Sequence, residues 1–506
     1  MSHHPVVIHV DTDYIRAIHG VSDLFTRPAI TVKACYGVPS SSKNETSVVD
    51  LNGDTPMSEA PAASSDPARS EWLVGEQLDK ALAANADQIE VRWPFVSEGE
   101  TQDWEGREFV LIHVYSLLNI KPSNNTHPLL LVPPSNPSAL PLSDQELYCQ
   151  MAFENLNAPI FSLLPSPLAA LYAQNAVTGA VLHVGRKTSE VAIVTDSIVR
   201  WECSTSVDIG EADCEEYLEK LLLNDKNLTT ELASVSGVSS WEPGQREKLV
   251  REIREFIFAE CTGDDIEVPV AKGATKAVVV AAVPEAEDDA FDVAKKLTAD
   301  AVPQPAAAAS HKSKKAQAAA AAAAASKASA AADAAAAAIA NDFIAVTIPS
   351  LPEKEIAVGP VRHRLAEPLL LGKTPGGDTV WEAVGRAVES SSLTIFERLP
   401  IWDGIAVVGD IARFKSFPIA LASYLAPFLL SSTDLPSDSQ ADKVRLLSIP
   451  EYIANFKGAT SDLAPFLGAS MVAKVAFNDT AGKHYVNKVD YNLRGPAAIY
   501  GVWQEA

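Results

Sequence analysis

Apolar residues along the chain recur with two different periods. Residues 6–10, 129–132, 180–184 and 190–194 form short runs rich in β-branched side chains and predict strands. Between them, longer stretches carry apolar residues one helical turn apart. Residues 142–156 open on Ser143 with Glu146 three positions on, the spacing of a capping box, and Leu147, Met151 and Ala152 predict an apolar face. Residues 245–261 place Leu249, Ile253, Phe256 and Ile257 on one side of a second amphipathic helix. The pattern as a whole is mixed α/β.

Two of the strands predict a hairpin, because 180–184 and 190–194 flank Gly185-Arg186-Lys187-Thr188-Ser189, a tight glycine turn suited to cradling a phosphate. Near the N-terminus, 6–10 and 15–18 flank Asp11-Thr12-Asp13 in the same strand, turn, strand order. Two such hairpins in separate halves of a chain predict a duplicated, two-lobed architecture with a cleft. Two segments interrupt the pattern. Residues 40–69 are rich in Ser, Pro, Ala, Asn and Asp and read as a mobile loop. Residues 271–341 run from a Val/Ala stretch through an acidic patch (Glu285, Glu287, Asp288, Asp289) and a basic one (311–315) to the alanine run 318–325. This second segment offers almost no side chain to pack and is expected to be disordered. Its Lys312, Lys314 and Lys315 have the makings of a nuclear-localisation signal or of a solvated linker.

With 506 residues, 47% of them hydrophobic, the chain can bury a substantial core and is long enough for two globular parts. Its 65 acidic against 41 basic residues give a formal charge of -24, which repels a phosphate backbone and argues against autonomous DNA binding. Cys35, Cys149, Cys203, Cys214 and Cys261 are scattered, with neither a disulfide framework nor zinc-ligand spacing, and a reducing compartment fits them. There is no secretory leader and no apolar run long enough to cross a bilayer, so a soluble intracellular protein without a membrane partner is expected.

Beyond these patterns, particular strings carry a resemblance. Trp72-Leu73-Val74-Gly75-Glu76, then Trp93-Pro94 and Asp103-Trp104, then 128–131, Asn136-Pro137, 151–159 and Leu171-Tyr172-Ala173 keep the order and spacing of the actin family, which the chain resembles over nearly its whole length outside the two insertions. The resemblance implies the two-lobed α/β fold shared by actin, Hsp70 and hexokinase, built from duplicated ribonuclease H-like domains and here carrying two low-complexity insertions. It puts 1–173 and 464–506 in a small lobe, interrupted at about 40–70, and 174–463 in a large lobe, interrupted at about 271–341. The strings 449–452, 466–470 and 491–498 resemble the actin-related subunits of fungal chromatin remodellers of the SWI/SNF and RSC type, and conventional actin lacks the last of them.

The resemblance also locates a nucleotide site, and the residues there depart from the family. An actin-type ATPase uses a carboxylate at each phosphate hairpin to hold hydrated metal and glycines that let backbone amides approach the phosphates. In the first loop Asp11 matches, but Asp13-Tyr14 stands where the family has Gly-Ser-Gly. In the second, the family's Asp-x-Gly-Asp-Gly reads His183-Val184-Gly185-Arg186-Lys187, so both acids are gone, although Arg186 and Lys187 have the charge to meet phosphate oxygens. The water-positioning glutamine falls on Ser166 and a later histidine on Glu190. Arg254 and Glu255 match the pair bordering adenosine, an adenosine-side glycine falls on Glu211, and the third-loop Gly-Gly becomes Gly409-Asp410, a carboxylate expected to repel phosphate. What remains of the site is therefore Asp11, Gly185, Arg254, Glu255 and Gly409, with no metal and no productive ATP cofactor expected, and hydrolysis is not expected.

In actins a groove between two subdomains receives amphipathic helices, and the resemblance places Tyr172 and Ala173 on one wall and Leu467, Met471, Val472 and Val475 on the other. The i, i+4, i+8 spacing of Leu467, Met471 and Val475 makes one helix face apolar, which serves either a groove or the core. The implied protein is a nuclear, non-catalytic scaffold. Its implied partners are an actin-related protein 7-like subunit, the HSA helix of an Snf2-type motor ATPase and a small accessory subunit, and it meets nucleosomes only through the complex. A dynactin filament-end subunit and an actin-like ATPase are the alternatives.

Overall fold

A computed structural model describes residues 4–39, 69–85, 88–96, 102–136, 138–236, 244–261, 263, 265–271, 279–281, 342–429, 441, 443–479 and 482–502. The expectations for the two insertions fall almost wholly outside these residues. By contacts the chain divides into two compact units, Met1–Asp213, Val270–Val279 and Pro368–Ala506 in one, Cys214–Pro269 and Val280–Glu367 in the other. The hairpins of residues 6–19 and 179–195 both fall in the first unit.

The strands in chain order are β1 (Val6–Val10), β2 (Tyr14–His19), β3 (Ile30–Lys33), β4 (Tyr36–Pro39), β5 (Ile89–Arg92), β6 (Leu129–Val132), β7 (Ile160–Leu163) and β8 (Gly179–Val184). They continue as β9 (Ser189–Thr195), β10 (Ile198–Val207), β11 (Val279–Ala281), β12 (Ile344–Ile348), β13 (Leu351–Val358), β14 (Ile405–Val408), β15 (Val444–Leu446) and β16 (Val486–Asn487). The first sheet has the order β16-β7-β6-β1-β2-β3 and the second β10-β9-β8-β14-β15-β11. The run β3-β2-β1-β6-β7 and the run β10-β9-β8-β14-β15 are the same motif twice. In each, the central strand pairs antiparallel with its hairpin partner and parallel with a later strand, in the registers Ile8↔Ala17 and Ile8↔Leu131 for β1, Val181↔Ala192 and Val181↔Ala406 for β8. Every residue of β1, β6, β8 and β14 is buried, as strands sandwiched on both faces require, which is why their sequences read as apolar runs interrupted only by His9 in β1 and His183 in β8. The duplication expected from the two hairpins is thus present in the sheets.

The 142–156 helix is α-helical only over Leu142–Gln150 and ends in a π-helical turn, Met151–Asn155. The capping box does not form. Pro141 sits at the cap without a side-chain bond, the Ser143 hydroxyl donates to Asp144, and Glu146 accepts from the Tyr500 hydroxyl at 2.5 Å. The wider turn shifts the helical register by one residue, so Met151 and Ala152 are buried while Leu147 faces out.

Helix Ala464–Ala476 lies against helix Ser166–Ala173 inside one apolar cluster that also holds Val7, Leu130, Val181 and Ala406 from both sheets. The helices cross at Gly468, where an added Cβ would stand 1.8 Å from the Ala169 carbonyl oxygen. No side chain fits there. In the second unit, helix Gln245–Glu260 buries Leu249, Val250, Ile253 and Ile257 with Phe256 half-buried, close to the predicted face. That unit is also held by buried Arg362, which donates to the carbonyls of Asp265, Asp342 and Gly359. The five cysteines are buried, and none is in a disulfide. Among the described residues no helix is long and apolar enough to cross a membrane.

Gly468→Ala is expected to lower unfolding stability by about 3 kcal/mol in a urea titration, because a backbone oxygen cannot swing aside as a side chain would.

Candidate functional site

The duplicated motif brings the turns after its two central strands together, and each turn is closed by its own backbone bond, Asp11 N to Tyr14 O at 2.9 Å and Gly185 N to Thr188 O at 3.0 Å. The turns then bond to each other. Arg186 N donates to Thr12 Oγ1 at 3.0 Å, and the Arg186 guanidinium donates to Asp13 Oδ1 at 2.9 Å while lying over the Trp93 ring, 4.1 Å from its centroid. One residue before the end of β8, His183 Nε2 meets Asp11 Oδ1 at 2.8 Å. Behind the first turn, Arg16 on β2 is almost wholly buried. It donates to Asp410 Oδ1 at 2.8 Å and to Asp462 Oδ2 at 3.4 Å, and it stands 4.0 Å from Asp11 Oδ2.

The third loop is fixed by its glycine. Gly409 has φ +96°, and a Cβ there would meet the Val184 carbonyl at 2.1 Å, so the loop runs directly over the end of β8 and delivers Asp410 to Arg16. Helix Glu211–Asn224 begins at the second turn. Its first amides, on Glu211 and Ala212, donate to the carbonyls of Gly185 and Arg186, both at 2.9 Å.

Burial opposes the charge on these groups, and neighbours decide which keep it. Burial pushes the His183 imidazole down, but the charge and hydrogen bond of Asp11, with the charges of Glu190 and Asp13, together raise its pKa to about 9. Burial pushes Asp11 up, but His183, His9 and Arg16 together hold it below the ordinary carboxylate range. Asp13 is raised to about 7, because burial and the Asp410 charge together exceed the effect of Arg186. Asp410 is raised by burial against the pull of Arg16. His9, lowered to about 3 chiefly by burial, is neutral.

Of the residues singled out in the sequence, Asp11, Gly185 and Gly409 come together here. Arg254 and Glu255 lie in the second unit, where Arg254 is held by Glu219 at 2.6 Å and by Glu215 at 4.0 Å, and Glu255 is exposed. Ser166 and Glu190 are buried, with the Glu190 pKa raised by burial. Two expectations are corrected. Asp410 is not a bare carboxylate, since Arg16 neutralises it, and Arg186 is aimed at Asp13 and Trp93. Arg16, Thr12, Trp93 and Asp462 were missed. Arg16 left a readable signal, an arginine set between apolar residues in Tyr14–His19, while Asp462 left none.

The groove residues divide. Leu467 and Ala173 belong to the core at 0% and 1% exposure, so they offer no surface, because the close crossing at Gly468 seals them between the helices. Tyr172, Met471 and Val472 are half-buried at the rim and Val475 is 71% exposed. The apolar stripe therefore passes from the core to solvent along one helix.

The pair His183–Asp11 has a pH signature. A raised folded pKa gives stability that is complete below the unfolded value, about 6.5 for histidine, and that fades as pH rises through about 9. Asp13, raised to about 7, acts in the same direction at lower pH. The melting temperature is expected to fall between about pH 6.5 and pH 9.5, and in His183→Gln the slope over that window should flatten.

Comparisons with known proteins agree with this geometry. A sequence model of the actin family matches residues 2–269. The chain is 25% identical to the "SWI/SNF and RSC complexes subunit arp9" of Schizosaccharomyces pombe over 98% of both chains. It is 29% identical to an "Actin-like protein" of Neurospora crassa over 28% of this chain and 36% of that one. It is 29% identical to "Centractin" of S. pombe over 32% of this chain and 38% of that one. With the duplicated sheets, the paired turns and a family match over more than half its length, the chain belongs to the actin family.

Proposed function

We propose that this protein is an actin-related, non-catalytic scaffold subunit of an ATP-dependent chromatin-remodelling complex of the SWI/SNF or RSC type, acting in the nucleus. The observation that carries the reading is the end-to-end likeness to the S. pombe subunit, 98% of each chain, against likenesses to centractin and the N. crassa protein that span about a third. The same contrast sets this reading ahead of a dynactin filament-end subunit. An ATPase is disfavoured by the partners already taken at the turns, where Asp11 faces His183 and Asp13 faces Arg186.

In this role the protein binds the HSA helix of an Snf2-type motor beside a second, actin-related protein 7-like subunit, with room for a small accessory protein, and reaches nucleosomes only through the assembly. The rim formed by Tyr172, Met471, Val472 and Val475 suits an apolar helix face. The net charge of -24 suits a basic one and opposes direct contact with DNA.

Affinity purification of the full-length protein with mass spectrometry should recover an Snf2-type ATPase together with a second actin-related protein. Recovery of dynactin subunits in their place overturns the reading. Met471→Asp combined with Val475→Asp, two positions at or near the surface, should weaken capture of the HSA helix at least tenfold while the melting temperature holds within about 3 °C. Unimpaired capture by the folded double variant removes the docking assignment.

A further inference from the structure

We infer that in this chain the protein's own cations replace the metal-bound nucleotide as the cross-link between the loops of the actin fold. The loops joined are far apart in sequence. Arg16 ties β2 to Asp410 and Asp462, 394 and 446 residues away, and the first turn is tied to the second through Asp11–His183 and Asp13–Arg186, 172 and 173 residues apart.

A bound nucleotide would have to enter between the two turns and accept from both. An oxygen shared by two donors keeps them roughly 5 Å apart, with each hydrogen bond near 2.9 Å. Here Arg186 N and Thr12 Oγ1 are bonded directly at 3.0 Å, so no phosphate oxygen fits between them. The amides of Glu211 and Ala212, at a helix start suited to anions, are spent on the carbonyls of the second turn. A divalent cation would need free carboxylates, and Asp11, Asp13, Asp410 and Asp462 each already face a cation. Arg16, Arg186 and His183 thus already offset the charge of these carboxylates without an imported ion. The residues present do not fit a metal–nucleotide complex. They perform its mechanical task, and they do so whether or not the chain is assembled in a remodeller.

The test uses the full-length protein. Denatured samples should release less than about 0.1 mole of adenine nucleotide per mole, and millimolar Mg-ATP or EDTA should move the melting temperature by less than about 1 °C, since a ligand bound to the folded state would raise it. Asp13→Asn and Arg186→Gln should each lower it by about 3 °C, the double variant by clearly less than the sum, and Mg-ATP should restore none of the loss. Co-purifying nucleotide, stabilisation of the wild type by Mg-ATP, single variants that melt like wild type, or strictly additive losses each overturn the inference. If Arg186→Gln yields no folded protein, the double variant decides: recovery supports the cross-link, and failure to recover overturns it.

Discussion

A guanidinium is tolerated in a protein interior only where carboxylates and hydrogen bonds offset the water it has lost, and Arg16 imposes that condition on everything around it. It sits on a strand of the first sheet, and two of the carboxylates that answer it lie roughly four hundred residues further on. Gly409 must adopt a left-handed backbone for Asp410 to reach it, and Asp462 must stand just ahead of helix Ala464–Ala476. The placement of that helix, its close crossing with Ser166–Ala173 and the exposure of its far end are thus tied to the same buried charge.

Much of this was legible in the chain. Strands buried on both faces are largely apolar, so β1, β6 and β8 announced themselves, and glycine or aspartate between two such runs marked the hairpin turns. Side-chain partners were not legible, because they depend on which distant segments meet. Ser143 and Glu146 have the spacing of a capping box, yet Glu146 is claimed by Tyr500, 354 residues away. Asp410 read as a repelling charge because nothing in a linear chain pairs it with Arg16. Leu467 read as a docking anchor because spacing defines a face without saying what covers it, and a glycine one residue on lets the neighbouring helix come close enough to cover it.

The division between core and rim on helix Ala464–Ala476 also bears on how such a subunit works. Its first turns are held by the apolar cluster, while Met471 and Val472 reach the rim and Val475 in the last turn is exposed. A helix docked there would bear on an element whose position is already set from within, which suits a part that transmits force better than one that yields to it.

The two equivalent turns of the duplicated fold differ in one further respect. Turns that descend from a common ancestor and both keep their acids repel each other and need a third party between them. Here one turn is acidic, with Asp11 and Asp13, and the other is basic at Arg186, with His183 on the strand leading into it. A self-repelling pair has become a complementary one, as when a symmetric dimer diverges into two matched subunits. Neither turn is then free to drift alone: a change of sign on one side leaves a buried charge on the other, so the two halves of this single chain are bound to evolve as partners.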